Sequence, residues 1–230
     1  MKQTSKCLTI MLTNQCPLRC AHCGPRSGPG EKGAIDLETI TAALDEAQAR
    51  SFRMVNFSGG EPFILGQALI DFVRAAAERS LIVRITTGAY WSKTAEAALN
   101  RLAPLVDAGL SQLIVSCSDA HRQFVPLNNV IEATRAAGRL GVEVYLALGT
   151  SKTSSTNSLS ICQAFEAAGV VPPRFYESPL IPFGRAEENV AADDLLLQPV
   201  ENFSGPCLSL TENPTIHADG QVTGCAVVFG

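Results

Sequence analysis

Six extended apolar runs alternate with helix-period segments along this chain, which restricts it to βαβ units on a parallel sheet. The runs fall at residues 7–13, 54–58, 81–87, 112–117, 142–149 and 174–177. Five helical segments lie between them. The first follows Asp36, a good N-cap, and sets Leu37, Ile40, Leu44 and Ala47 on one face. The second carries Leu69, Phe72, Val73 and Ala76. The third carries Ala95, Ala98, Leu99 and Leu102, and Pro104 predicts a break or bend near its end. The fourth begins near Pro126, carries Val130, Ile131, Thr134 and Ala137, and is weakened by Gly138. The fifth, over 158–168, is stopped by Gly169. The fold class is α/β, as an open doubly wound sheet or an incomplete βα barrel; periodicity does not separate the two.

In either architecture ligands gather at the carboxyl ends of the strands. Residues with usable chemistry collect there. Cys16, Cys20 and Cys23 follow the first run, and Gly59-Gly60-Glu61-Pro62 closes the second. Thr86-Thr87-Gly88 ends the third, Ser116-Cys117-Ser118-Asp119 the fourth, and Glu177 the last. Beyond Glu177, Pro179, Pro182 and Gly184 with the pairs Glu187-Glu188 and Asp193-Asp194 predict an exposed connector.

Composition removes several classes. The chain has 230 residues, enough for one medium domain with a substantial core, and 46% of them are hydrophobic. A net charge of −4 with scattered basic residues argues against a nucleic-acid surface or a polybasic membrane patch. No apolar stretch approaches the roughly 20 residues of a spanning helix. The polar start, Met1 to Lys6, lacks a signal-type apolar region, so a cytoplasmic location is expected. Eight cysteines in such a context read as thiols or metal ligands, not disulfides. Cys7, Cys117 and Cys162, isolated in apolar patterns, read as small buried hydrophobes.

The C-x-x-x-C-x-x-C array of Cys16, Cys20 and Cys23 is different. Three soft thiolates can hold an iron–sulfur cluster, which normally takes four cysteines, so one iron would stay open to a further ligand. The competing reading is zinc, with His22 recruited as a fourth donor, but His22 sits tightly against Cys23.

The array, followed one strand later by Gly59-Gly60-Glu61-Pro62, resembles the radical S-adenosylmethionine (radical SAM) superfamily. The resemblance spans roughly residues 7–177 and favours a partial (β/α)6 TIM-like barrel. It implies that Cys16, Cys20 and Cys23 ligate a [4Fe–4S] cluster and that S-adenosylmethionine chelates the open iron. Reductive cleavage would then give a 5′-deoxyadenosyl radical that abstracts hydrogen from substrate. It implies cofactor contacts from His22 to adenine and from the backbone of Gly59 and Gly60 to the methionine ammonium, with Glu61 in support. Thr87, where related members often have asparagine, and Ser116 or Ser118 would reach the ribose or the carboxylate. Asp119 and Glu177 are candidate acids or bases; helix capping is the other reading of Asp119. Tyr90 and Trp91 read as packing.

Cys207 and Cys225, in C-x(12)-G-x(4)-C with Gly220 inside, resemble the opening of the family's SPASM or twitch extension, which carries auxiliary [4Fe–4S] clusters. Asp219-Gly220 fits a hairpin turn between 214–217 and 221–223. The organisation expected is a core barrel at 1–178, a linker at 179–206 and a partial SPASM-like segment at 207–230. Five residues follow Cys225, so one auxiliary site would be incomplete in this chain. The expected activity is that of an oxidoreductase or peptide-modifying maturase, served by a flavodoxin or ferredoxin. The alternatives are a small-molecule radical SAM dehydrogenase and a non-catalytic iron–sulfur or zinc protein.

Overall fold

The computed structural model describes residues 6–196 and 212–224. Six parallel strands follow one another across a sheet in chain order: β1 (Cys7–Met11), β2 (Met54–Ser58), β3 (Ile82–Thr87), β4 (Leu110–Ser116), β5 (Glu143–Thr150) and β6 (Arg174–Pro179). Between them run α1 (Leu37–Ala49), α2 (Gln67–Glu78), α3 (Ala95–Asp107), α4 (Asp119–Arg122), α5 (Leu127–Arg139) and α6 (Ser158–Ala167). Because parallel crossovers share one hand, sequential strand order puts every connecting helix on the same face. Periodicity left two architectures open and the resemblance favoured the barrel; this strand order bears out the partial (β/α)6 barrel.

Burial agrees. Val55 and Phe57, Val83 and Ile85, Leu113 and Val115, and Leu146 and Leu148 point outward into one core with Ile40, Leu44, Leu69, Phe72, Leu102, Val130 and Phe165 of the helices. The alternate residues face the other way and include a row of polar side chains. Thr86 bonds Asn56 at 3.0 Å, Arg84 holds the Gln112 carbonyl at 2.9 and 2.7 Å, and Gln112 reaches Glu143 at 2.7 Å. Tyr145 stacks on Tyr176 at 4.8 Å. A doubly wound sheet buries both faces in apolar contact; here one face is core and the other a polar concave lining.

Local signals mostly act as expected. Asp36 caps α1 through Thr39 N–H at 2.7 Å, and Gly169 ends α6 at φ 65°. Pro104 does not break α3, which runs on to Asp107, since a proline so near the carboxyl end removes only one late hydrogen bond. Gly138 likewise sits in the last turn of α5. The short α4 was not anticipated; one turn is too brief to show a period.

After β6 come α7 (Ala186–Asn189) and a hairpin of β7 (Thr215–Ile216) and β8 (Val222–Thr223), with Gly220 at φ 84° in the turn. β7 pairs parallel with β1, Thr9 opposite Thr215, so the hairpin continues the barrel sheet. Cys207 and Cys225 lie outside the described residues. Among the described residues no helix is long and apolar enough to cross a membrane.

Candidate active site

The loop after β1 runs from Leu12 to Asp36 and is tied at its base. Ile35 N–H donates to Leu12 O at 3.0 Å, Asn14 N–H to Gly33 O at 3.1 Å, and Cys16 N–H to Gly28 O at 3.1 Å. That base carries the array. Cys16 and Cys20 are buried and Cys23 is half-buried, within an apolar patch of Leu18 and Val125 backed by Tyr90 and Ala120. Burial pushes the Cys16 thiol up to about 11 and the Cys20 thiol to about 12, and the neighbouring Cys23 raises both further. Without a cation the pair stays protonated; binding as thiolates requires a metal.

The three cysteines share a cavity of about 240 Å³ with Gly59, Gly60, Glu61, Thr87, Ser116, His22 and His121. The Gly-Gly pair is set by close approach. Gly60 N–H donates to Thr13 O at 2.6 Å and Glu61 N–H to Gln15 O at 3.0 Å. A Cβ on Gly59, at φ 121°, would lie 2.6 Å from Thr13 O; one on Gly60 would drive into the Gln15 carbonyl, 2.6 Å from its carbon. Only glycine lets the β2 loop seat against the root of the cysteine loop.

Glu61 is buried beneath that seat. Its carboxylate accepts from Phe63 N–H (3.1 Å), Gly88 N–H (2.9 Å) and the Thr87 hydroxyl (2.8 and 3.0 Å). Burial pushes its pKa up to about 7 against these three donors. Thr87 Oγ1 in turn accepts from Ala89 N–H at 3.1 Å and Trp91 Nε1 at 2.9 Å, and Trp91 stacks on Phe63 at 4.1 Å. The Thr87 hydroxyl, expected to reach a ribose, is therefore spent on fixing Glu61 and the end of β3.

At the end of β4 the two serines differ. Ser116 lines the cavity, and its hydroxyl has no hydrogen-bond partner among the described residues. Ser118 is the N-cap of α4: its hydroxyl accepts from Gly149 N–H at 2.7 Å, and its own N–H donates to His121 Nδ1 at 3.3 Å. That bond leaves the proton of a neutral His121 on Nε2. His121 meets His22 edge to face at 4.7 Å; burial lowers both pKa values, His121 to about 3, so both rings are neutral near pH 7. His22 Nδ1 is buried without a partner, a polar atom facing the cavity.

Two candidate acids lie outside both cavities. Strand alternation puts Tyr176 and Ser178 into a second cavity of about 440 Å³, which shares His22, Ser58, Gly59, Ser116 and His121 with the first. Glu177 between them points to the opposite face, beside the core-facing Phe175. Asp119 neither caps α4 nor lines either cavity. Against a burial penalty, hydrogen bonds from Thr156 and Ser155 hold its carboxyl below the usual value, at 2.8 Å from both backbone N–H groups. It anchors the loop after β5.

The exposed connector is corrected as well. Gly184 and Arg185 are buried against the cysteine loop. The positive φ of Gly184 was unreadable from sequence, and the flanking acidic pairs hid the segment's packing.

A family model for the radical SAM superfamily matches residues 10–153. The chain belongs to the radical SAM superfamily. Its members use a [4Fe–4S] cluster and S-adenosylmethionine. The chain is 35% identical over 117 residues to a PqqA peptide cyclase of Methylobacterium nodulans, across 49% of this chain and 28% of that protein. It is 34% identical over 137 residues to a GTP 3′,8-cyclase of Synechococcus elongatus, across 56% and 40%. The matches thus span well under half of these relatives. Among solved structures, BtrN in complex with AdoMet and 2-DOIA superposes with a TM-score of 0.54 at 16% identity, covering 98% of this chain and 75% of that one. Streptococcus suis SuiB bound to precursor peptide SuiA gives 0.54 at 13%, covering 96% and 59%. At such identities the likeness is one of fold, the radical SAM barrel.

The donor set fits the family's cluster. Among the described residues no group of three or more His, Cys, Asp or Glu closes on a single metal ion. Three soft thiols lining one cavity suit an iron–sulfur cluster that keeps one iron for a further ligand.

Proposed function

We propose that the chain is the catalytic core of a radical SAM enzyme that modifies a peptide, with Cys16, Cys20 and Cys23 holding the [4Fe–4S] cluster. The observation that carries this is the seating of Gly59-Gly60-Glu61 against the root of the cysteine loop, so that both motifs line one cavity. When bound and reduced by a flavodoxin or ferredoxin, the cluster and S-adenosylmethionine supply the one-electron chemistry that removes a substrate hydrogen.

The chain's own residues prepare that chemistry. Leu18, Val125 and Tyr90 exclude water around the cysteines. The glycine backbone leaves room for the cofactor, and the Glu61–Thr87–Trp91 network keeps that backbone from drifting. The Ser116 hydroxyl and the His22 ring offer polar contacts. Ser118 and His121, mutually bonded, hold the end of β4 in place.

The peptide reading draws on the peptide cyclase relatives and on the second cavity. That cavity extends from His22 and Ser116 to Tyr176 and Ile181, each more than 40% exposed, so a wall both aromatic and apolar leads from the site to solvent. The GTP cyclase relatives support the competing small-molecule reading at similar identity.

The test is anaerobic reconstitution with iron and sulfide, then dithionite and S-adenosylmethionine. 5′-Deoxyadenosine is expected, with its yield raised by a candidate precursor peptide. Iron–sulfur absorption without any cleavage product would sink the enzymatic reading. Stimulation by GTP and by no peptide would replace the peptide with a nucleotide.

A further inference from the structure

Arg185 is 9% exposed and lies in the segment that the sequence assigns to solvent. Its guanidinium makes two contacts with the cysteine loop: Nε donates to Cys20 O at 2.9 Å and a terminal nitrogen to Ser27 O at 2.6 Å. Its backbone N–H donates to Cys23 O at 3.0 Å. One residue thus stitches three points of the loop that carries the array. Gly184, at φ 62°, makes this possible, because a Cβ there would collide with the Gly24 carbonyl and stand 2.6 Å from Cys23 O.

The charge is the second observation. Among the described residues no carboxylate pairs with Arg185; the ion pairs nearby are those of Arg26 with Glu187 and Glu188 on the rim. A buried guanidinium without a counter-charge is unfavourable. The positive field of Arg185 reaches Cys16, Cys20 and His22. A cluster held by the three thiolates would bring negative charge to this corner.

We propose that Arg185 is the cationic positioning residue of this site, which fixes the cysteine loop and supplies the positive charge against which a thiolate-bound cluster becomes reducible. This rests on the cluster assignment made above. Uptake of one electron from a low-potential one-electron donor adds one negative charge beside Arg185, and a fixed cation there favours the reduced form. Neutralising it should make reduction harder.

The experiment compares the wild-type chain with Arg185→Lys and Arg185→Gln, each reconstituted without oxygen. Iron and sulfide are counted, folding is checked by circular dichroism, and the cluster is titrated with dithionite while its electron paramagnetic resonance signal is followed. At the wild-type midpoint, the reduced-to-oxidised ratio in Arg185→Gln should fall about tenfold, a shift of ~59 mV for one electron. Arg185→Lys should stay nearer wild type in both loading and midpoint. If Gln and Lys behave alike, or Gln the better of the two, the charge makes no difference and the proposal is overturned, whether both are loaded or both empty. A wild-type chain that takes up no cluster refutes the assignment beneath it instead.

Discussion

Replacing Gly60 by alanine tests the contact on which the site is built. The added Cβ would press on the Gln15 carbonyl, 2.6 Å from its carbon and 3.0 Å from the Asn14 carbon. These are backbone atoms, so no side chain can swing aside. The β2 loop and the cysteine loop must separate by roughly an ångström to restore ordinary contact. That separation strains or breaks two hydrogen bonds, Gly60 N–H to Thr13 O at 2.6 Å and Glu61 N–H to Gln15 O at 3.0 Å. At about 1 kcal/mol each, plus a desolvation cost of about 1–3 kcal/mol if a buried donor stays unpaired, the loss is about 3–5 kcal/mol. Alanine recovers about 0.4–1 kcal/mol through the unfolded state, leaving about 2–4.5 kcal/mol. For a chain of this size that lowers Tm by roughly 4–18 °C. The control is Gly138→Ala, in the last turn of α5, where a Cβ meets nothing within 4 Å and should stabilise by up to ~1 kcal/mol. Thermal unfolding of both variants by circular dichroism, without metal, reads this directly. A Gly60→Ala protein that melts within about 1 °C of wild type, beside a stabilised Gly138→Ala, would show that the two loops are not in contact.

Cys20→Ala should lose most iron after anaerobic reconstitution and yield no 5′-deoxyadenosine; a fully loaded variant would remove Cys20 from the ligand set. Glu61 predicts a pH signature. Its folded pKa, about 7, stands above an unfolded value of roughly 4.3, so the stability it lends is complete below that lower value and is lost as pH rises through 7. Relative to Glu61→Gln, the metal-free wild type should lose up to about 3 kcal/mol between pH 4 and 8, seen by urea unfolding; parallel profiles for the two proteins would contradict it. Glu177→Gln should leave cofactor cleavage within about twofold of wild type, since alternation turns Glu177 away from both cavities. A hundredfold loss would put that side chain back in the site.

What could be read in the sequence follows from how far each signal reaches along the chain. Helix faces and strand runs are local, so six strands and five of the helices were visible, with ends shifted by a few residues. The choice of barrel over open sheet was not visible in periodicity, because it depends on which strands are neighbours; the family resemblance alone favoured it. The roles of Thr87 and Ser118 lay beyond it for a similar reason. A hydroxyl can serve a cofactor or the protein, and only its partners, Glu61 and Trp91 for Thr87 and Gly149 for Ser118, decide between them. Glu177 stands one step of a two-residue period from the cavity-lining Tyr176 and Ser178, and no composition signal marks which side of an edge strand is concave.

The stretch from Phe183 to Ala186 shows where such reading has to fail. Prolines and acidic pairs around it have the composition of a solvent-exposed linker, and that inference is sound for Glu187 and Glu188, which reach the surface to meet Arg26. Gly184 and Arg185 obey a different constraint. Arg185 lies more than 150 residues from the carbonyls it contacts, at Cys20 and Ser27, Gly184 is packed against the backbone of Gly24, and a backbone carbonyl has no residue-type signature. A buried arginine bonded to main-chain oxygens therefore leaves no partner to look for in the sequence. The same holds for β7, whose two residues reach the free edge of β1 and bring the hairpin against the strand that launches the cysteine loop. Both contacts bear on the root of the array from segments beyond the sixth strand. The barrel and its site thus depend on chain that a linker assignment would discard, and a truncation after Pro179 should destabilise the cysteine loop even though it removes none of the three cysteines.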